Sequence, residues 1–273
     1  MPKYTKSQII YWSSIAQKSP YHIVTRSPWP FLVSLYLCNF VTCCVLFFHF
    51  QYCLIETSVT IFSFILSRWF IDIWIESLTG LHTRKVAKGL RLGFVLMIAS
   101  EIMFFGSFFV GLFYLSLNPP CWTGDIWPYI NGIPPMDGTP WIGTWFLIAS
   151  SFWIGEAKVN FLWGEYRKCM YQLFCTLHCG IMFLYIQIEE FISLDITFNN
   201  GLHGSFFFML TGFHGLHVIL GIIFIITLYF RMIYNKFIFV REKCILFDIT
   251  VWYWHFVDYV WLVVFPIMYG LHG

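Results

Sequence analysis

Seven stretches of about twenty apolar residues dominate this chain, and they leave it few folds. They run over about 31–50, 54–75, 93–117, 141–163, 170–193, 205–230 and 249–269. An α-helix needs ~20 residues to cross a ~30 Å hydrocarbon core. In lipid each backbone N–H and C=O must be paired within its own segment, which a helix does and an open strand does not. The composition agrees: 59% of residues are hydrophobic, 11% are charged, and the mean hydropathy is +0.71. Soluble domains carry about 25% charged residues. The pattern predicts an all-α integral membrane protein with seven transmembrane helices in a single membrane domain, residues 1–273. The one sizeable connection, 118–140, holds Pro119, Pro120, Pro128, Pro134, Pro135 and Pro140, which break helices. There is no internal repeat.

The net charge of +2 gives no footprint for nucleic acid, but the placement of charge is informative. Lys3, Lys6, Lys18 and Arg26 precede the first span. Arg84, Lys85, Lys88 and Arg91 follow the second, Arg167 and Lys168 the fourth, and Arg231, Lys236, Arg241 and Lys243 the sixth. The opposite side has Asp125, Asp137 and Asp195 instead. Lys and Arg accumulate on the side from which insertion occurs, so the N-terminus is expected there and the C-terminus across the membrane. Residues 1–27 contain no acid and are expected to be a solvated basic tail, an organellar presequence being the alternative; no secretory signal is expected. The nine cysteines lie mostly in apolar runs and form no disulfide framework.

Ionisable groups inside a bilayer are functional candidates. Glu101 sits mid-span in Ala99-Ser100-Glu101-Ile102-Met103-Phe104-Phe105. Two readings stand side by side: a proton-active or lipid-facing carboxylate, and a neutral acid hydrogen-bonded to a neighbouring helix. Glu189 and Glu190 close the fifth span, where interfacial water would solvate them. Arg68 and Asp72 lie four apart, the spacing of an ion pair on one helix face. Glu156 and Lys158 do not face each other, and each needs its own partner. His255 and Asp258 are three apart, a spacing that allows a structural hydrogen bond. His214 and His217 share that spacing, with His203 upstream, and could share a metal. A di-haem cytochrome would need a matching pair on a second span, whereas His178 and His255 are single in theirs. Cys175, His178 and Cys179 lie mid-span rather than on a soluble copper-binding loop. The expectation is packing and hydrogen bonding for these histidines and cysteines, with no metal.

Several blocks in order resemble the cytochrome c oxidase subunit III family. They are Pro20-Tyr21-His22 with Ser27-Pro28-Trp29-Pro30; Glu76, Gly80-Leu81-His82-Thr83 and Lys88-Gly89-Leu90-Arg91; Ser100-Glu101 with Phe104-Phe105; and Arg167-Lys168. The most specific are Gly204-Ser205, Phe207-Phe208 and Thr211-Gly212-Phe213-His214-Gly215-Leu216-His217-Val218, then Trp252-Tyr253-Trp254-His255-Phe256-Val257-Asp258 with Val260-Trp261. The chain departs from the pattern at Val159-Asn160, where the family has adjacent histidines. It departs again at Ile133-Pro134-Pro135, at Leu81, and at Glu156 and Lys158.

The resemblance implies seven helices, the first two splayed from a five-helix bundle around a lipid-filled cleft. It implies a non-redox core subunit of the proton-pumping terminal oxidase that reduces O2 to water. Such a subunit packs directly on subunit I, alongside subunit II and accessory subunits. Haem a and copper would reside in the partner subunits, with none on this chain, and phospholipids would be bound. The subunit would stabilise subunit I and support proton uptake. Glu101 matches the family's intramembrane carboxylate, Glu76, His82 and Arg231 match lipid-headgroup positions, and His214, His217, His255 and Asp258 belong to the structural motifs. The implied location is the mitochondrial inner membrane, N-terminus in the matrix and C-terminus in the intermembrane space; the alternative is a bacterial plasma membrane. The alternatives in function are the equivalent subunit of a quinol oxidase and a proton-coupled transporter built on Glu101 and Arg68.

Overall fold

A computed structural model describes residues 20–22, 26–50, 54–78, 82–119, 136–234 and 245–270. Among them the chain is entirely helical: α1 (Trp29–Phe50), α2 (Ile55–Leu78), α3 (Arg84–Leu117), α4 (Thr139–Trp163), α5 (Tyr166–Ser193), α6 (Gly201–Tyr234) and α7 (Ile245–Phe265). A π-helical turn, Pro266–Gly270, follows α7. Pro266 has no N–H for the α-helical ladder, and the wider turn accommodates the loss. Each helix covers one apolar stretch, but several run on past it. Arg84, Lys85, Lys88 and Arg91 belong to the opening turns of α3, Arg167 and Lys168 open α5, and Arg231 lies in the last turn of α6. α3 and α6 have 34 residues each, about 50 Å at 1.5 Å per residue, so their ends reach the headgroup zone. Residues 1–19, most of the proline-rich connection, and Lys236, Arg241 and Lys243 lie outside the described residues.

Six of the seven helices are long and apolar enough to cross a membrane. The other, α4, has the length, but Glu156, Lys158, Asn160 and its threonines lower its apolarity. Local chemistry sets the helix ends. Thr83 Oγ1 accepts the Val86 N–H at 3.4 Å before α3, an N-cap for an otherwise orphaned donor. Gly164 ends α4 in the left-handed conformation, φ 82°, which glycine adopts without Cβ strain.

The chain divides into two compact units, residues 1–89 and 90–273. In the first, α1 packs on α2. Ser58 donates to Asn39 at 2.9 Å, and Phe40 stacks on Phe62. The expected Arg68–Asp72 pair does not form; Asp72 instead accepts the Trp29 indole N–H at 2.5 Å.

In the second unit α5 packs on α4 and α6, and α7 packs on α4 and α6. The core is aromatic: Phe105, Phe183, Phe207, Trp254 and Trp261 are fully buried. Large apolar residues such as Met103, Val110, Phe152 and Ile192 stay exposed, the reverse of a soluble globule and the surface a lipid solvent requires. Trp254 fits because α5 and α6 present glycine to it. A Cβ on Gly180 would meet the indole at 2.7 Å, and one on Gly221 at 2.8 Å. We therefore expect Gly180→Ala and Gly221→Ala each to destabilise the unit by ~1–3 kcal/mol through overpacking. Gly155→Ala, where nothing lies within 4 Å, should be close to neutral. Denaturant unfolding in detergent, followed by tryptophan fluorescence, measures all three.

Candidate functional site

Glu101 stands halfway along α3, and its partner is His217, halfway along α6. His217 Nε2 lies 3.1 Å from Glu101 Oε2. The other ring nitrogen, Nδ1, lies 2.7 Å from the Phe213 carbonyl. A carbonyl only accepts, so Nδ1 carries a hydrogen and donates. The Nε2–carboxyl contact then shares a single proton, as a neutral acid–imidazole pair or as carboxylate and imidazolium. Phe105, Tyr253 and Phe256 surround the imidazole. Glu101 keeps about a third of its side chain exposed (32%), against 13% for His217. The geometry realises the neighbouring-helix hydrogen bond and leaves part of the carboxyl open to the outside.

His214 does not join His217. Its Nε2 meets the Val257 carbonyl at 3.2 Å, and its ring packs on Trp261 and Phe183. The two histidines thus diverge and make no shared ligand pair. His255 Nδ1 contacts Ser151 Oγ on α4 at 2.8 Å, so the expected His255–Asp258 bond is replaced by one across helices. Asp258 is buried beside the same Ser151 hydroxyl. The i,i+3 spacing gave proximity along α7 but not direction; the imidazole turns towards α4.

Further polar contacts cross between helices. Asp248, in the first turn of α7, accepts from Arg91 Nε at 3.1 Å and Nη2 at 2.8 Å, and its other oxygen lies 3.1 Å from Lys158 Nζ. The partner Lys158 needs is therefore an acid that the sequence left just outside a span. Asn160 donates to Gln172 at 2.8 Å. Trp254 Nε1 donates to Ser150, and Trp261 Nε1 to Thr144, each at 2.9 Å. Glu190 is not solvated at an interface: it is buried and accepts the Tyr269 hydroxyl at 2.6 Å. Glu189 accepts the hydroxyl of Tyr185. Small hydroxyls on α4 carry no sequence signal, because serine and threonine occur in any membrane helix.

In the first unit Glu76 and His82 come together with His22, a grouping the sequence did not reveal because 54 residues separate His22 from Glu76. Their ligand atoms all lie within 4.8 Å of one another. His22 Nε2 is 3.8 Å from Glu76 Oε2, and the two imidazoles meet edge to face. Two imidazoles and a carboxylate suit zinc, whose ligands stand ~3.3 Å apart at ~2.0 Å bond lengths, so the trio would have to draw in to hold it. Lys85 lies over the Tyr21 ring beside this cluster.

The sequence model for "Cytochrome c oxidase subunit III" matches residues 19–272. The chain belongs to the cytochrome c oxidase subunit III family. Curated proteins named cytochrome c oxidase subunit 3 from Halichoerus grypus, Phoca vitulina and Gazella leptoceros are each 37% identical over 257 residues, covering 93% of this chain and 97% of theirs. The chain is accordingly a multi-pass membrane subunit of cytochrome c oxidase, and the quinol-oxidase and transporter readings are not favoured. The family blocks at 204–218 and 252–261 are those that pack around Trp254, His214 and His217. Within this subunit III the Asp248 bridge is shared by two cations, so their contributions should not add. Lys158→Met alone should weaken the fold, and the same change on an Asp248→Ala background should do little. A double-mutant cycle on detergent-unfolding free energies should return ~0.5–3 kcal/mol of coupling.

Proposed function

We propose that this subunit is a non-redox core component that packs directly on subunit I and stabilises it, while haem a and copper reside in the partner subunits. The family match along nearly the whole chain carries this reading. The donor chemistry is in keeping with it. His214, His217 and His255 each spend a ring nitrogen on a carbonyl, a carboxyl or a hydroxyl from α6, α3, α4 or α7. None of the three turns towards a common point. The subunit's own residues contribute a stiff aromatic bundle and one proton-holding pair. Glu101 and His217 would hold a proton at mid-membrane depth, next to the route by which the oxidase draws protons inward. Mitochondrial inner membrane is the matching location, with subunit II and accessory subunits in the same complex. The basic residues at 84–91, 167–168 and 231 would then face the matrix with the N-terminus, leaving the C-terminus in the intermembrane space.

The reading includes lipid. His22, His82 and Glu76 form a half-buried cluster at the ends of helices. A phospholipid headgroup fits such a cluster in two parts: imidazolium and nearby lysine attract its phosphate, and the carboxylate accepts from an ammonium. Arg231 offers a second cation for phosphate at the end of α6.

The test is purification of the native complex in mild detergent, with an absorbance spectrum and identification of its subunits. Haem a bands in the complex and none in the separated chain are expected; haem retained by the separated chain would overturn the assignment. For the proton-holding pair, Glu101→Gln should shorten the catalytic lifetime of the complex. An unchanged lifetime and proton-to-electron ratio would leave Glu101 as a purely structural partner of His217. Mass spectrometry of the intact complex should show one phospholipid fewer in a Glu76→Ala, His82→Ala variant.

A further inference from the structure

We propose that Glu156 pairs with a lysine or arginine on a transmembrane helix of a neighbouring oxidase subunit. The inference rests on the reading that this chain packs on partner subunits, and it assigns one docking point to that assembly. Of the seven helices, α4 is the one whose polar residues keep it below the apolarity of a membrane span. Two of those residues are matched inside the chain, Lys158 by Asp248 at 3.1 Å and Asn160 by Gln172 at 2.8 Å. Glu156 is not. Its backbone carbonyl accepts from Asn160 at 3.1 Å, but among the described residues its carboxyl has neither a hydrogen bond nor an ion pair. Phe152, Val159 and Trp163, at i−4, i+3 and i+7, share its face of the helix and are exposed. Ile154, Ala157 and Phe161, on the other side, are buried. Glu156, half-buried itself, therefore stands on the side of α4 that α5 and α7 leave uncovered.

Depth separates this carboxyl from an ordinary surface acid. α4 has 25 residues, about 37 Å at 1.5 Å per residue, and Glu156 precedes its last residue, Trp163, by about 10 Å on the same measure. It thus lies inside a ~30 Å hydrocarbon core. Side chains tilt towards the N-terminus of their helix, which here carries the carboxyl deeper and not back to the nearer surface. Acids at such depth are costly and characteristically pair. An acyl chain offers Glu156 no donor, and a phosphate has its own sign of charge. A lipid ammonium stays beside its phosphate in the headgroup zone. A water needs two to four polar partners, and the flanking Phe152 and Val159 supply none. A lysine or arginine on an apolar helix suits both parts of the face: its cation neutralises the carboxylate, and its apolar neighbours lie on Phe152 and Val159. A Cβ on the adjacent Gly155 would meet nothing within 4 Å, and such small residues let a second helix come close.

Electron cryomicroscopy of the intact oxidase should show a lysine Nζ or arginine Nη of another chain within ~4 Å of the Glu156 carboxyl. Lipid, water or a residue of this chain in that place overturns the proposal. A second measurement scores how fast this subunit leaves the purified complex under detergent challenge. Glu156→Gln keeps the shape, removes the charge and strands the partner's cation, so it should speed the loss about tenfold. The separated subunit should unfold at the same denaturant concentration with either residue, because the carboxyl has no partner among the described residues of the chain. Loss from the complex at the wild-type rate, or an equal weakening of the separated subunit, overturns the proposal. Should the chain be absent from the haem a complex altogether, the assignment to the oxidase fails first, and the subunit analysis of the wild-type preparation shows that separately.

Discussion

Helices in a bilayer gain little from hiding apolar surface from one another, because lipid is as apolar as leucine; close packing and hydrogen bonds between helices must set their register. In the second unit of this chain that work falls on α7. Its two buried tryptophans donate to Ser150 and Thr144 on α4, and His255 meets Ser151 on the same helix. The Val257 carbonyl takes His214 of α6, and Asp248 ties α3 and α4 to its beginning. The turn that follows sends Tyr269 to Glu190 on α5. Each of these partners is small or sits where two helices run close, so a shift of α7 by one turn (about 5.4 Å) would break them together.

Glycine makes that arrangement possible. Trp254 presents its ring edge to Gly180 and Gly221 at distances that leave no room for a methyl group. The tryptophan then reaches Ser150 with its N–H, so a single side chain joins α5, α6 and α4. The same closeness places α6 with His217 facing α3 and Glu101. The Glu101–His217 pair therefore depends on the aromatic core: the residues with chemistry are few, and the residues that aim them are many.

The subunit is read here as one that positions and protects chemistry carried out next to it. That reading accounts for a core whose buried polar groups are tied to one another across helices, as Trp254 to Ser150, Trp261 to Thr144 and Tyr269 to Glu190. The charged ends of α3, α5 and α6 fit a protein anchored among phosphate headgroups, since helices longer than the hydrocarbon is thick carry their lysines and arginines out to it.

The sequence alone determined the class, the helix count and order, the lopsided placement of basic residues and the family. These are properties of contiguous stretches: apolar length is counted along the chain, and the blocks at 204–218 and 252–261 are read within one helix each. It also singled out Glu101, because a carboxyl in the middle of an apolar run is visible without any fold. Only the tertiary structure decided the partners. Spacing suggested Arg68 for Asp72 and His255 for Asp258, and the fold supplied Trp29 for the one and turned His255 to Ser151. Glu190 proved buried, Lys158 found Asp248, and His22 joined Glu76 and His82. Spacing fixes which side chains share a face of one helix; it says nothing about which donors a second helix brings to that face. In lipid, where a polar group must find its partner in protein, the second helix has the deciding part.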